Sequence, residues 1–336
     1  MILLKTQQSL CQSTFTLSTH MSNFVTGIIH QSLTRKIVRR LGCLLMGIGL
    51  AIIPLTQTAF AGDPFRTEAP HDISDTSEQI FYAMFRDGDY TAAHDYLENA
   101  DADAEADPLF HALGAAFAYL DEDWSALASK AALTQQTATE LAESDALRSN
   151  LYEAVGVFLE GAHILQTEGV AQGTPKALGM LQRVFDRMDA AEAIDPEDPE
   201  LSLLKGYMDL LLAVNLPFAN PEKAIGRLET YGYPTYVAYR GIALGYRDLD
   251  RDAEALEAVD VALEAAPNNP DLLYLKAQIL RRLDRTEESQ TFFAQALEYA
   301  DQLPAATSRQ IAFEQCHMSG EDRAVCSARA VEQFGE

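Results

Sequence analysis

The residues able to do chemistry are plentiful in this 336-residue chain, but they do not gather into a signature. Beyond position 61 the histidines are His71, His94, His111, His163 and His317, with no H-E-x-x-H pair and no spacing of metal ligands. There is no glycine-rich phosphate loop and no G-x-S-x-G elbow. Asp and Glu number 50, so numerous that no one pair stands out as general acid and base. Asp101, Asp103, Glu105 and Asp107 alternate as in a calcium loop. The sixth position, however, is Ala106 rather than glycine, and Ala112 stands where a bidentate Glu is needed. A solvated acidic linker is the expectation there. Cys316 and Cys326 have only His317 beside them, and a zinc site needs three or four ligands. The expectation is a chain that is not an enzyme and holds no metal or cofactor.

The elements that would position any binding site are announced by a repetition. YVAYRGIALGYRDLDRDAEALEAVDVALEAAP (236–267) is followed by PDLLYLKAQILRRLDRTEESQTFFAQALEYAD (270–301). Ala243 and Ala277 lie 34 residues apart, as do Tyr246 and Leu280, Val259 and Phe293, and Ala262 and Ala296. That period predicts an all-α array of helix–turn–helix units. Small residues at Ala243, Ala255 and Ala262 let two antiparallel helices approach closely, while Tyr239, Ile242 and Tyr246 fill the space between them. Pro267 stops the second helix, and Asn268-Asn269-Pro270 turns the chain into the next.

The same logic extends upstream. Residues 80–100 read as the join of a first unit, with Gly88-Asp89-Tyr90 at its turn. Asp107-Pro108 opens a second, and the breaks at Asp195–Pro199 and Asn215–Pro221 bound further ones. Leu147–Gln166 and Pro175–Ile194 are predicted helices separated by the loop GVAQGT (169–174). Residues 62–76 read as a flexible lead-in and 77–303 as the array of about six helix pairs. Residues 304–336 read as a two-helix cap.

The repeat resembles the tetratricopeptide repeat, on Tyr239, Ile242-Ala243, Tyr246, Ala255, Val259, Ala262 and Pro267. The second copy departs at Lys276, where a bulky apolar residue is expected, and at Ser289, where Ala is expected; looser packing follows. The resemblance implies a right-handed superhelix whose first helices line a concave groove, with ligand contacts at fixed offsets around the small residue. On Ala243 and Ala277 these offsets give Val237, Arg240, Leu244, Arg247, Asp248, Asp271, Tyr274, Gln278, Arg281 and Arg282. Around Gly206 they give Glu200, Leu203, Tyr207, Leu210 and Leu211, a more apolar wall. Arginine and tyrosine are favoured at binding hot spots, and the guanidinium fork suits a carboxylate. The expected partner is therefore a protein or peptide with an acidic segment or C-terminal carboxylate. The alternative is that these arginines pair with Asp248, Asp250 and Asp284 of the same chain. The asparagines of the family's carboxylate clamp are missing from these positions.

Residues 1–61 differ in character. They carry Lys5, Arg35, Lys36, Arg39 and Arg40 and no acidic residue; Arg39-Arg40 precedes the apolar run Leu41–Ile53, and Ala59-Phe60-Ala61 closes the segment. This is the pattern of a secretory signal peptide, and 13 apolar residues are too few to span a bilayer. Five of the 25 basic residues and none of the 50 acidic ones fall in that segment, so the remainder carries a net charge of −30. Such a field repels nucleic acid and anionic membrane surfaces. Export to an oxidising compartment makes Cys316 and Cys326 a disulfide rather than two free thiols. Overall the chain is similar to exported tetratricopeptide proteins of Gram-negative or cyanobacterial type. The expected location is the periplasm, or the thylakoid lumen in a cyanobacterium, without membrane insertion after cleavage. The resemblance implies a non-catalytic scaffold or assembly factor, and the acidic surface offers a second class, a soluble cation- or solute-binding protein.

Overall fold

Helix starts in this chain are written largely by aspartate and asparagine. Asp89, Asp101, Asp107, Asp123, Asp145, Asn220, Asn269 and Asp322 each accept a backbone N–H from the first turn of the helix they open. Each cap satisfies a donor that the helix leaves without a partner. The computed structural model describes residues 62–215 and 220–335. The expected leader and signal segment (1–61) and positions 216–219 of the Asn215–Pro221 stretch lie outside the described residues.

The described residues form fifteen α-helices. Helix α1 (Asp75–Phe81) runs on as a π-helical turn (Tyr82–Asp87) and pairs with α2 (Tyr90–Glu98). The short α3 (Ala102–Ala106) leads to α4 (Pro108–Leu120) and α5 (Trp124–Glu140). Then come α6 (Ala146–Glu168) with α7 (Val170–Glu192) and α8 (Pro199–Asn215) with α9 (Pro221–Tyr231). After these follow α10 (Thr235–Asp248) with α11 (Asp252–Ala265), α12 (Pro270–Arg282) with α13 (Thr286–Leu297), and α14 (Ala305–Met318) with α15 (Arg323–Phe334). Sequential helices pack as antiparallel pairs, consistent with a helical repeat. Among the described residues no helix is long and apolar enough to cross a membrane.

The 34-residue period is visible in the backbone itself. Asp250 and Asp284 both adopt the left-handed conformation, at φ 60° and 58°. Arg251 N–H donates to Tyr246 O at 2.8 Å, and Arg285 N–H to Leu280 O at 2.9 Å, one period on. Glu122, at φ 55°, ends α4 in the same way, with Asp123 N–H on Ala118 O at 2.9 Å. One turn chemistry thus reverses the chain within three pairs. Between the paired helices Ala243, Ala255, Ala262, Ala277 and Ala296 are fully buried. The two departures in the last copy do not loosen it. Ser289 is buried and donates to Ala277 O at 2.7 Å. Lys276 lies 4.1 Å from the Phe292 ring centroid and pairs with Asp260 at 2.6 Å.

Three stretches differ from expectation. Residues 170–174 are the first residues of α7 rather than a loop, because Gly169 alone, at φ 78°, supplies the break. The acidic run at 101–107 contains α3, and its members diverge: Asp101 caps α3 while Asp107 is buried. The lead-in at 62–74 is tied to the core through buried Asp63, Phe65 and Ile73.

The first pair also packs against elements nearly two hundred residues away. Tyr90 Oη donates to Asp271 at 2.7 Å, and Asn269 Nδ2 donates to Phe85 O at 3.0 Å. Tyr90 N–H reaches Gln302 O at 2.8 Å, and the π-turn lies against α10. Helices α8 and α10 approach closely through Gly241: a Cβ there would fall 2.1 Å from the Tyr207 ring. Gly241→Ala is expected to lower stability by about 1–3 kcal/mol through overpacking, despite alanine's better helix propensity. Adding Tyr207→Leu should recover part of the loss. Thermal unfolding followed by circular dichroism reads both, and an unchanged midpoint in the single variant would refute the close approach.

Candidate functional site

The basic row on α10 and α12 is assembled, and its charges are already spoken for within the chain. Arg240 is buried, with Nη2 3.1 Å from Asp271 Oδ2; its Nη1 has no hydrogen-bond partner among the described residues. Arg247 is buried too, donating through Nε to Asp248 at 2.8 Å and through Nη1 to Gln278 Oε1 at 2.9 Å. Arg282 binds Asp252 at 2.6 Å and Asp250 at 2.5 Å. Leu244 is half-buried against the core.

The remaining members converge on one carboxylate from the cap. Glu314 of α14 accepts from Tyr274 Oη at 2.8 Å and from Gln310 at 2.7 Å, and pairs with Arg281 Nη1 at 2.7 Å. Gln278 Nε2 adds a longer contact at 3.3 Å. The cap that carries Glu314 is held by the Cys316–Cys326 disulfide joining α14 to α15, with Cα atoms 5.6 Å apart. Tyr207 is not in this row; it is buried and donates to Val237 O at 2.9 Å. Four arginines, a tyrosine and a glutamine therefore do meet on neighbouring helices, but around carboxylates of their own chain.

A second place has the opposite chemistry. The first helices of successive pairs leave a cavity of about 150 Å³ between them. Helix α4 contributes Leu109, Ala112, Leu113 and Ala116; α6 contributes Tyr152, Val155, Phe158 and Leu159; α8 contributes Leu203, Leu204 and Met208. Met188 of α7 and Val237 of α10 complete the far wall. Phe65, Phe81 and Phe85 of the N-terminal segment cover it, with the Phe81 ring centroid 4.8 Å from Phe65 and 4.9 Å from Phe85. The π-helical turn between Phe81 and Asp87 sets the spacing of Phe81 and Phe85 over the cavity, as such turns often do beside functional sites. Ala112, Val155, Phe158, Leu159 and Leu204 are half-exposed, which places the mouth between α4, α6 and α8.

The one side-chain hydroxyl among the lining residues is committed. Tyr152 Oη donates to Glu200, whose other oxygen accepts from Arg148 Nε at 3.1 Å. Arg148 is 1% exposed and also binds Asp107 at 3.2 Å and the Asp72 carbonyl at 3.4 Å. Burial raises the Glu200 carboxyl above the ordinary range in spite of Arg148, and burial beside Glu200 drives the Tyr152 phenol well above its own. Tyr152 therefore keeps its proton and spends it on Glu200. Above this network Arg66 pairs with Asp198, and His71 bridges Asp145 and Asp198. The lead-in is thereby fastened over the cavity's cover.

Sequence reasoning reaches Leu203 and Val237 as groove positions and misses the rest of the cavity. The signal was available in α4, PLFHALGAAFAYL, which is apolar on every side and buries eleven of its thirteen residues. A helix of that kind needs neighbours all round. His111 within it is buried, its imidazole pKa lowered by that burial, with Nε2 at 2.8 Å from Glu105 O. No protein-family model matches the chain, and no curated protein matches it in sequence.

Burial raises the Asp271 carboxyl above the ordinary aspartate range, against the pull of Arg240 and the Tyr90 hydrogen bond. The folded chain then holds this proton where the unfolded chain has released it, so stability falls as pH rises from the ordinary aspartate range through the folded value. Asp271→Asn removes this titration. On acidification from neutrality the wild type is expected to gain in denaturation midpoint relative to the variant. A difference independent of pH would count against the assignment.

Proposed function

We propose that the chain is a non-catalytic, exported binding protein built from tetratricopeptide-like helix pairs, and that its ligand site is the apolar cavity between α4, α6 and α8. The single observation that carries this reading is a cavity of about 150 Å³ lined by sixteen residues, none of them charged, with a half-exposed mouth. Ligand sites are typically concave and mostly apolar. The repeat reading draws support from the shared left-handed turns and from fully buried Ala243 and Ala277, one period apart. In that family the first helices of the pairs carry the binding face, and eleven of the sixteen lining residues lie on α4, α6 and α8.

Binding of a neutral, polarity-sensitive dye tests the site. Wild type is expected to bind one equivalent saturably. Ala112→Trp, which places an indole in the mouth at a half-exposed position, should weaken binding by roughly tenfold or more, equivalent to ~1.4 kcal/mol, with the helical spectrum unchanged. Equal affinity in a folded variant would overturn the assignment.

A second reading, a scaffold for an acidic protein segment, is supported by the way Tyr274, Gln278 and Arg281 already hold a carboxylate. A partner's carboxylate would take the place of Glu314. Glu314→Gln is expected to raise affinity for a Glu-rich peptide, measured by anisotropy. No binding to either form removes the scaffold reading.

A further inference from the structure

We infer that the cavity holds the hydrocarbon tail of a single-chain amphiphile whose head group is not anionic, with the tail inside and the head at the mouth. This rests on the cavity being the ligand site. The first argument is the absence of polar partners. A ligand amide or hydroxyl carried into the interior would forfeit its water without a replacement, at a penalty of roughly 1–3 kcal/mol. Tyr152, the only residue of the lining with a side-chain hydroxyl, donates to Glu200. Whatever fills the inner space is hydrocarbon.

The second argument is one-sided access. Phe65, Phe81 and Phe85 close one side, and the segment carrying them is fastened through Arg66–Asp198 and His71–Asp145. The half-exposed residues Ala112, Val155, Phe158, Leu159 and Leu204 lie on α4, α6 and α8. The opening on that side admits a tail end-on and leaves its head in water.

Size and charge narrow the class. A cavity of about 150 Å³ accepts a benzene-sized group, so the enclosed part of the tail amounts to about six carbons. The lining has no cationic residue to receive an anionic head, and the whole chain carries a formal charge of −25. That field disfavours a carboxylate or phosphate head.

Competition against the dye, using the purified full chain, separates the possibilities. The competitors are the 1-alkanols from butanol to decanol, octanoate and octylammonium. Potency among the alkanols is expected to rise about fourfold per methylene and to level off beyond about six to eight carbons, once the cavity is filled. Octanoate should compete several-fold less well than octanol, and Ala112→Trp should abolish the chain-length dependence. If the dye binds and Ala112→Trp displaces it, but the alkanol series is flat or octanoate competes best, the ligand class is wrong while the site stands. If wild type fails to bind the dye at all, the site itself falls.

Discussion

The seating of the first helix pair against the last repeats is the constraint on which the remaining structure depends. Its centre is Asp271, a buried carboxylate that accepts from Tyr90 of α2 and pairs with Arg240 of α10. Around it Asn269 does two jobs at once: its side-chain oxygen caps α12 while its amide donates to the carbonyls of Phe85 and Arg86. Those two carbonyls lie in the π-helical turn, where the regular helical ladder leaves backbone acceptors to be satisfied elsewhere. The same turn presents Phe85, and with it Phe81, to the cavity. The contact to α12 thus holds the helical part of the cavity's lining, while Arg66 and His71 hold the lead-in.

Burying charge at this junction is expensive, and the chain offsets it by pairing. With 25 basic residues against 50 acidic ones, any arginine that enters the interior meets a carboxylate easily. Arg148 meets Glu200 and Asp107, and Arg240 meets Asp271. Replacing one partner of such a buried pair is far more harmful than the pair is beneficial, because an isolated charge remains. The function of these groups is accordingly geometric. Arg148 ties α6 to α8, to the Asp107 cap of α4 and to the lead-in at Asp72, all of which border the cavity.

How much of this was legible in the sequence follows from the range of each interaction. The pairs α10/α11 and α12/α13 could be read because their determinants are local: alanines at a fixed period, an Asn-Asn-Pro turn, caps within four residues of the bonds they make. Gly169 and Pro175 suggested a loop at 169–174, but α7 starts at Val170 and carries Pro175 inside it, where the ring removes one i→i−4 hydrogen bond without ending the helix. The arginines lie on the neighbouring helices α10 and α12. Of their partners, Asp248 and Asp250 lie close in sequence and could be read, whereas Glu314 lies 33 residues beyond Arg281 and Asp271 reads as a groove residue. The cavity was invisible because it is a property of what six separated segments fail to fill. No window of sequence contains it.

That failure to fill is itself informative about the site. Helix α4 faces the cavity with Ala112 and Ala116, on the same face as Leu109 and Leu113. Larger aliphatic residues in place of these two alanines would occupy the space from a helix that is otherwise packed on nearly every side. Unfilled volume lined by apolar atoms forfeits dispersion contacts, and core cavities lower stability by roughly 24 cal/mol per Å³. Water gives little relief there, because the lining has no free hydrogen-bonding group to hold it and Tyr152 is already bonded to Glu200. A hydrocarbon guest restores those contacts without asking for a hydrogen bond. By linkage, its binding would stabilise α4, α6 and α8 together, and through Phe81 and Phe85 the first pair as well.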